Sequence, residues 1–167
     1  YDENRTAGQI VEARGRWGEL SGQGRKPGHR AWKNLDRNPD KPLRIGFVSP
    51  DLGNHPVGYF FINVLQAFAL DRLDVFLYSN RDEGKDHDKL SREFFDTVGE
   101  RRWRWTRNWP DGQLARQIEE DGIDILVDMA GHTAYHRLPG FMRKPAPLQV
   151  TWLGHPHTTG LRSIDYR

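Results

Sequence analysis

After Pro42, short apolar runs alternate with longer segments that carry apolar residues at helical spacing. The apolar runs predict five β-strands, at 43–49, 73–79, 101–106, 123–129 and 148–153. The segments between them predict helices that start at Pro56, cover 86–98, follow an Asp111 cap, and cover 134–142. Strands that alternate with helices in this way are typical of βαβ units, whose parallel sheet is covered on both faces. The pattern therefore predicts an α/β fold, a doubly wound, mainly parallel, five-stranded Rossmann-like sheet.

The N-terminal part of the chain has a different pattern. Residues 1–20 predict a single helix with Thr6 as its N-cap. Its interior glycines each cost up to about 1 kcal/mol relative to alanine, so we expect it to pack against another part of the protein. Glycine and proline breaks over 21–42 predict a linker, which we expect Trp32 to hold against the domain. We therefore divide the chain into an N-terminal helical arm with its linker, 1–42, and a sheet domain, 43–167.

The absence of cysteine limits the chemistry of the chain. It excludes disulfides, thiolate zinc sites and cysteine nucleophiles, and it suits a reducing compartment. No apolar run approaches the roughly 20 residues of a membrane span, because Asn63 and Gln66 interrupt the longest one. The first residues also lack the basic and then apolar pattern of a signal peptide. We therefore expect a cytoplasmic protein with no membrane partner.

The charge of the chain is unevenly distributed. Residues 1–42 carry 9 Lys and Arg against 6 Asp and Glu, whereas residues 43–167 carry 16 against 17. Nucleic-acid binding usually concentrates basic residues on the folded face, so this distribution gives only weak support for it. The Arg- and Trp-rich segment 101–109 suits stacking on single-stranded nucleic acid, or an edge strand guarded by charge. Acidic residues follow it closely and favour the edge strand; a stand-alone module for nucleic acid or an acidic protein remains the alternative function.

Three polar loops follow predicted strands. They cover 49–58, 128–136 and 154–160, and they hold five of the seven histidines. Ligands of open parallel sheets bind at the carboxyl ends of the strands, so this clustering indicates a functional edge. Neither the G-x-G-x-x-G motif nor the G-x-x-x-x-G-K-[ST] motif is present, which argues against a dinucleotide or P-loop site.

His55 is the histidine whose position is most informative. It precedes Pro56 at the predicted start of a helix, where the helix N-terminus favours a neutral imidazole that can accept a proton. A turn cap with no chemical role explains the same position. His155 and His157, with His55 and His132, could instead hold zinc in a metal hydrolase. Only Asp128 or Asp51 is available as a carboxylate to complete that site, which argues against zinc.

The three loops and their flanks resemble a known family. The segments 44–61, 121–134 and 143–167 are similar to the catalytic region of the O-linked N-acetylglucosamine transferase/SPINDLY family, particularly bacterial members with tetratricopeptide repeats. The resemblance implies a GT-B glycosyltransferase fold with two Rossmann-like halves. This chain matches the N-terminal half, and most donor-binding residues belong to the C-terminal half. The arm 1–42 resembles the segment that joins the repeats to the catalytic region.

The resemblance also implies a reaction. His55 matches the family's general base for the attack of a Ser or Thr hydroxyl on UDP-GlcNAc, with inversion at the anomeric carbon. It implies no metal and no cofactor beyond the sugar-nucleotide donor, and it implies a protein acceptor, the C-terminal half and the repeats as partners. The residues it assigns to sugar or acceptor contacts are Asn54, Pro56, Gly131, His132, Thr133, Gly154, His155, Pro156, Thr158 and Thr159.

Two positions depart from the commoner family pattern. His155 stands where the family usually has tyrosine, and His157 stands where it usually has a small residue or asparagine. SPINDLY relatives that transfer fucose from GDP-fucose share the same motifs. A protein O-fucosyltransferase is therefore a second alternative, and we expect little or no turnover from this chain without the second half.

Overall fold

The computed structural model describes residues 4–22, 38, 40–68, 71–82 and 88–167. The predicted linker around Trp32 lies outside these residues. The helices are α1 (Ala7–Gly22), α2 (Pro56–Gln66), α3 (Lys89–Val98), α4 (Asp111–Asp121) and α5 (Leu138–Phe141). The strands are β1 (Leu43–Ser49), β2 (Leu73–Ser79), β3 (Trp103–Trp105), β4 (Ile125–Asp128) and β5 (Leu148–Thr151), and a 3₁₀ turn at Glu100–Arg102 precedes β3.

The five strands form one parallel sheet in the order β3-β2-β1-β4-β5. The chain moves outward from β1 to β3, then returns to the other side of β1 for β4 and β5. The order therefore reverses between β1 and β4, which makes their carboxyl ends a topological switch point. The predicted α/β, doubly wound, parallel five-stranded sheet is confirmed.

Helices cover both faces of the sheet, and successive residues of β1 point to opposite sides. Phe47 packs in the core that includes Phe61 of α2 and Phe94 of α3. Val48, the next residue, belongs to the core on the other face, which includes residues of α4 and α5. Burial on both faces explains why the strands are almost continuously apolar.

Several predicted boundaries differ from the observed ones. The strand expected over 101–106 is shorter, because residues 100–102 form the 3₁₀ turn. The helix expected over 134–142 is reduced to α5, since Tyr135 has a φ of 60°, which breaks a right-handed helix. The prediction that Asp111 caps a helix was wrong. Pro110 occupies the N-cap position of α4, and the Asp111 carboxylate accepts a hydrogen bond of 2.8 Å from Arg137 instead.

Arg137 is a buried cation whose guanidinium donates four hydrogen bonds. Besides Asp111, it donates to the side chain of Asn80 at 3.0 Å and to the carbonyl groups of Thr106 and Trp109, both at 2.7 Å. A buried charge is tolerated only with such partners. Arg137 therefore ties the ends of β2, β3 and α4 to α5.

Helix α1 begins with a reciprocal cap. The Thr6 hydroxyl accepts a hydrogen bond from the Gln9 N–H, and the Gln9 side chain accepts one from the Thr6 N–H, as in a capping box. At the other end, a Cβ on Gly18 would lie 2.5 Å from the Gly160 carbonyl oxygen, so the two backbones are in direct contact. The expected packing of this glycine-rich helix on another part of the protein is confirmed.

No helix among the residues described here has the length and apolar character that a bilayer crossing requires.

Candidate functional site

The three polar loops begin side by side at the switch point. Val48 of β1 pairs with Asp128 of β4, and Asp128 pairs with Thr151 of β5. The backbone continues this contact beyond the strands, since the Trp152 N–H donates to the Asp128 carbonyl at 2.8 Å. The structure thus brings together the loops that the sequence predicted to form one edge.

His55 is the N-cap of α2. Its backbone is extended (φ −151°, ψ 150°), and its Nδ1 accepts a hydrogen bond of 3.3 Å from the Val57 N–H. The side chain is 44% exposed, so the ring caps the helix while one side of it faces solvent. The sequence is consistent with either a helix cap or an accessible imidazole, and in the structure His55 is both.

Asp51 lies beside His55. One of its carboxylate oxygens is 3.7 Å from His55 Nδ1, and the Asp51 side chain is only 19% exposed. Burial raises the pKa of Asp51, and the charges of His55 and Arg81 partly counter that effect. The sequence analysis used Asp51 only as a possible zinc ligand; the four-residue spacing to His55 across a helix start was the signal for this pair.

The residues on either side of His55 are exposed. Pro56 is the first residue of α2, and the Asn54 side chain accepts a hydrogen bond of 2.7 Å from the Tyr59 hydroxyl. The Asn54 N–H donates to Asp88 at 2.9 Å, which ties the loop to the start of α3. Tyr59 was missed in the sequence analysis, because only the fold places it one helical turn above the loop.

The loop after β4 is organised by a buried carboxylate. Asp128 accepts hydrogen bonds from the N–H groups of Ala130 and Gly131, at 3.2 and 2.9 Å, and from the Thr151 hydroxyl at 2.8 Å. Burial raises the pKa of Asp128, although these hydrogen bonds oppose the effect. The Thr133 hydroxyl donates to the Ala130 carbonyl at 2.9 Å. The loop is therefore held rigid by its own polar groups.

Two glycines allow the loops after β4 and β5 to pack closely. A Cβ on Gly154 would lie 1.8 Å from the Met129 carbonyl oxygen. A Cβ on Gly131, whose φ is 57°, would lie 2.5 Å from the His155 Cβ. The close contact between the loops therefore explains why glycine stands at both positions, and no bound ligand is needed to explain it.

The predicted residues after Gly154 mostly bond within the protein. The hydroxyls of Thr158 and Thr159 accept hydrogen bonds from the N–H groups of Gly160 and Leu161, at 3.1 and 3.3 Å. The Thr159 carbonyl accepts from His132 Nε2 at 2.8 Å, which joins the two loops again. Pro156 is exposed. These residues build a wall of the site.

Four histidines form a cluster above β4 and β5. The ring centroids of His132 and His136 are 5.9 Å apart, those of His132 and His155 are 6.2 Å apart, and those of His155 and His157 are 5.6 Å apart. Burial, above all, lowers the pKa values of His132 and His136. Burial and the nearby Arg14 lower the pKa of His155 to about 4. These three rings are neutral at physiological pH.

Helix α1 covers this cluster. Trp17 meets His132 edge-to-face at a centroid distance of 5.0 Å. An Arg14 guanidinium nitrogen lies 2.8 Å from His155 Nε2, and another donates to the Thr158 carbonyl at 3.2 Å. Arg14 has only donors, so His155 Nε2 accepts and its proton lies on Nδ1. The sequence analysis assigned neither Arg14 nor Trp17 to the site, because the contact joins residues more than 110 positions apart.

The histidine nitrogens are used in ways that do not suit a zinc site. His132 Nε2 donates to Thr159, and His155 Nε2 accepts from Arg14. Across the described residues, no group of three or more His, Asp or Glu side chains is arranged to hold a metal ion.

The Arg- and Trp-rich segment also has internal partners. Arg104 pairs with Asp121 at 2.8 Å, Arg102 pairs with Asp74, and the Trp103 ring is buried against Phe95. These contacts are those of a charged edge strand, as the sequence favoured.

Comparison with known proteins identifies a family whose members are similar to this chain. Residues 25–167 match glycosyl transferase family 41. The chain is 37% identical over 143 residues to the Arabidopsis thaliana protein named "Probable UDP-N-acetylglucosamine--peptide N-acetylglucosaminyltransferase SPINDLY", which covers 84% of this chain and 15% of that protein. It is 37% identical over 126 residues to the UDP-N-acetylglucosamine--peptide N-acetylglucosaminyltransferase of Caenorhabditis elegans, which covers 74% of this chain and 10% of that protein.

A solved structure is also similar. The K341M mutant of the Thermobaculum terrenum O-GlcNAc transferase superposes with a TM-score of 0.87 at 35% sequence identity, over 99% of this chain and 31% of that one. The chain therefore spans less than a third of the length of the relatives named here.

Proposed function

Because the chain belongs to glycosyl transferase family 41, we propose that it is the N-terminal half of the catalytic region of a protein O-glycosyltransferase. The proposed reaction transfers GlcNAc from UDP-GlcNAc to Ser or Thr hydroxyls of a protein acceptor. The observation that carries the proposal is a partly exposed imidazole, His55, at the switch point of a parallel sheet.

His55 is the proposed general base. Its Nε2 takes the proton of the acceptor hydroxyl as the oxygen bonds to the anomeric carbon. The bond from that carbon to the phosphate oxygen breaks, and UDP leaves with the electron pair. Attack from the face opposite UDP inverts the configuration, so the product carries a β-linked sugar. Nδ1 is turned toward Val57 and Asp51, so Nε2 is the nitrogen proposed to react. Nε2 can accept the proton only when the ring carries its own proton on Nδ1.

The loops after β4 and β5 supply the proposed wall for sugar and acceptor. Their polar groups bond to one another and to α1, which favours a rigid surface over one that rearranges for each substrate. Asn54 and Pro56, both exposed next to His55, are the proposed acceptor contacts on the other side. Rigid positioning of this kind lowers the entropy cost of reaching the transition state.

The donor distinguishes the proposed reaction from its alternative, because UDP-GlcNAc and GDP-fucose differ in both base and sugar. We propose that a second half of the catalytic region binds the nucleotide, and that repeats preceding this chain present the acceptor. No cofactor or metal takes part in the proposed mechanism, and the proposed location is the cytoplasm.

The test of His55 uses the whole protein that contains this chain. Asparagine is a good N-cap but a poor base, so His55→Asn preserves the helix start and removes the proton acceptor. We expect His55→Asn to lower transfer from UDP-GlcNAc to an acceptor peptide by about 10²–10⁴-fold with little loss of stability. Near wild-type transfer by this variant would refute the proposed base.

The donor is tested in the same assay. Matched reactions with labelled UDP-GlcNAc and labelled GDP-fucose identify the transferred sugar by mass, and NMR of the glycopeptide reports the anomeric configuration. Transfer of GlcNAc in β-linkage is expected. Transfer of fucose alone would replace the proposal by the fucosyltransferase alternative, and an α-linkage would exclude inversion.

A further inference from the structure

The loop between β1 and α2 fixes Asp51 and His55 relative to each other. The Gly53 N–H donates to the Asp51 carbonyl at 2.9 Å, and the His55 N–H donates to the Gly53 carbonyl at 2.6 Å. The Asp51 N–H donates in turn to the Ser49 hydroxyl at 3.0 Å. A Cβ on Gly58 would lie 2.2 Å from the Gly53 carbonyl oxygen, so the first turn of α2 is pressed against the loop. These backbone contacts therefore hold the side chains of Asp51 and His55 next to each other.

Two groups compete for one nitrogen of His55. The Val57 N–H needs a lone pair on Nδ1, whereas the Asp51 carboxylate needs a proton there. A neutral imidazole carries its proton on one nitrogen only. If Nδ1 caps the helix, Nε2 carries the proton and cannot accept another. If Nδ1 donates to Asp51, Nε2 has a free lone pair. The choice of tautomer therefore decides whether the ring can act as a base.

Burial raises the pKa of Asp51, and nearby positive charge partly counters that rise. Arg81 contributes a positive charge, which opposes the rise that burial causes in the pKa of Asp51. Arg81 is itself held in place by Asp88, at 2.7 Å. The distance from Nδ1 to the carboxylate is 3.7 Å, so a hydrogen bond between them requires the partly exposed His55 ring to turn toward Asp51. Hydrogen bonds to charged groups are stronger than neutral ones, so the carboxylate competes well with the 3.3 Å cap.

We propose that Asp51 is a positioning residue for His55: its carboxylate draws the proton of the neutral ring onto Nδ1 and leaves Nε2 to accept the proton of the acceptor hydroxyl. This inference rests on the proposed function. When the ring becomes an imidazolium during transfer, Asp51 faces the N–H at Nδ1 and stabilises the charge. Loss of the carboxylate leaves the capping tautomer, in which Nε2 already carries a proton.

The first test is spectroscopic and independent of activity. In the whole protein labelled with ¹⁵N-histidine, the shifts of the two ring nitrogens show which one is protonated at about pH 8, where imidazole is neutral. The His55 signals are assigned by their absence in His55→Asn. We expect the Nδ1–H and Nε2–H tautomers to be populated to a comparable extent in the wild type, and a shift of about tenfold toward the Nε2–H tautomer in Asp51→Ala. An unchanged tautomer ratio in Asp51→Ala would overturn the proposal.

Asp124→Asn is the matched control. The Asp124 side chain is 14% exposed, close to the 19% of Asp51. It accepts a hydrogen bond of 2.9 Å from the Arg44 N–H, but it precedes β4 and so lies at the opposite, amino-terminal end of the strands. It should lower stability without changing the His55 tautomer. A tautomer change in Asp124→Asn as large as that in Asp51→Ala would show a general structural effect and overturn the proposal.

The second test measures transfer. Asp51→Ala should lower kcat roughly 10- to 100-fold with little change in the KM for UDP-GlcNAc, less than the ~10⁴-fold loss for a buried triad aspartate. Asp51→Glu, which keeps the carboxylate, should recover part of the loss. Wild-type kcat in Asp51→Ala would overturn the catalytic part of the proposal. If His55→Asn retains full transfer, the proposed function fails, while the tautomer measurement still decides what Asp51 does.

Discussion

At the scale of single residues, the ring of His55 has two roles: it caps a helix, and it is the proposed base. Its Nδ1 caps α2, and its exposed side faces the edge where the loops meet. A side chain with both tasks cannot be evaluated by one alanine substitution, because alanine removes the cap together with the base.

Measurements of the free energy of unfolding distinguish the capping role of His55 from its proposed role as a base. We expect His55→Ala to lower the free energy of unfolding by about 1 kcal/mol, because the Val57 N–H loses its partner. His55→Asn should stay within a few tenths of a kcal/mol of the wild type, since asparagine caps well. Urea unfolding followed by circular dichroism measures both. Equal losses for the two variants would show that the 3.3 Å contact does not act as a cap.

His155 makes the protein sensitive to mild acid. Its pKa is lowered to about 4 by burial first and then by the charge of Arg14. His132 and His157, when they are protonated, and Arg167 lower it further. The unfolded chain binds more protons than the folded one between this pKa and the unperturbed value of about 6.5. Stability from the neutral ring is therefore present above about pH 6.5 and is lost as the pH falls toward 4.

A substitution isolates this contribution. His155→Phe keeps a ring of similar shape and cannot be protonated, so its free energy of unfolding should fall less than that of the wild type between pH 7 and pH 5. The difference between the two proteins cancels the effects of other groups, including Asp128. Parallel pH profiles would contradict the lowered pKa of His155.

At the scale of elements, α1 is joined to the loop after β5 by backbone contact. A Cβ on Gly18 would lie 2.5 Å from the Gly160 carbonyl oxygen, whereas a Cβ on Gly15 would meet nothing within 4 Å. Both glycines lie in the same helix. Substitution by alanine therefore raises the helix propensity at both positions, but it disturbs the contact with the loop only at Gly18.

These two glycines give a matched pair of variants. Gly15→Ala should stabilise α1 by up to about 1 kcal/mol, because alanine is the better helix former. Gly18→Ala should separate α1 from the loop and lower the free energy of unfolding by about 1–3 kcal/mol, as overpacking does. Hydrogen exchange of the α1 amides and of the His155 region, together with thermal unfolding, measures both. Faster exchange in Gly15→Ala than in Gly18→Ala would contradict the contact.

At the scale of the molecule, the described sheet has one edge where three loops meet and where the strand order reverses. In relatives of this family the matched region is only part of a longer chain: the chain spans 31% of the Thermobaculum terrenum transferase. In the proposed function the site lies on one half of a two-part catalytic region and contacts the substrates from one side only. Under that proposal, affinity and rate depend on the second part.

This dependence is testable with the chain alone. We expect the 167-residue chain to fold and to show no measurable GlcNAc transfer, whereas the longer protein transfers GlcNAc to the same peptide. Circular dichroism checks the fold, and glycopeptide mass spectrometry measures transfer. Transfer by the isolated chain at the rate of the longer protein would contradict the proposed division between two halves.

The alternation of strands and helices could be predicted from the chain because both periods are local. Apolar runs mark strands buried on two faces, and stripes at helical spacing mark helices, so the parallel sheet and the edge that carries His55 follow from nearby residues. The boundary between the arm and the sheet domain at Pro42 remains a prediction. The local pattern wrongly predicted a helix cap at Asp111, because the Asp111 carboxylate accepts a hydrogen bond from Arg137, 26 positions away.

The amino-acid sequence alone determined the class of fold and the three loops that meet at one end of the strands, and it singled out His55 as the candidate base. Only the tertiary structure decided which groups reach that edge: Asp51 beside His55, Arg14 and Trp17 from α1 over the histidine cluster, and glycines that let loops touch. The reason is physical. Secondary structure follows from periodic burial along a short segment, whereas hydrogen bonds, ring contacts and backbone clearances depend on where segments distant in the chain meet.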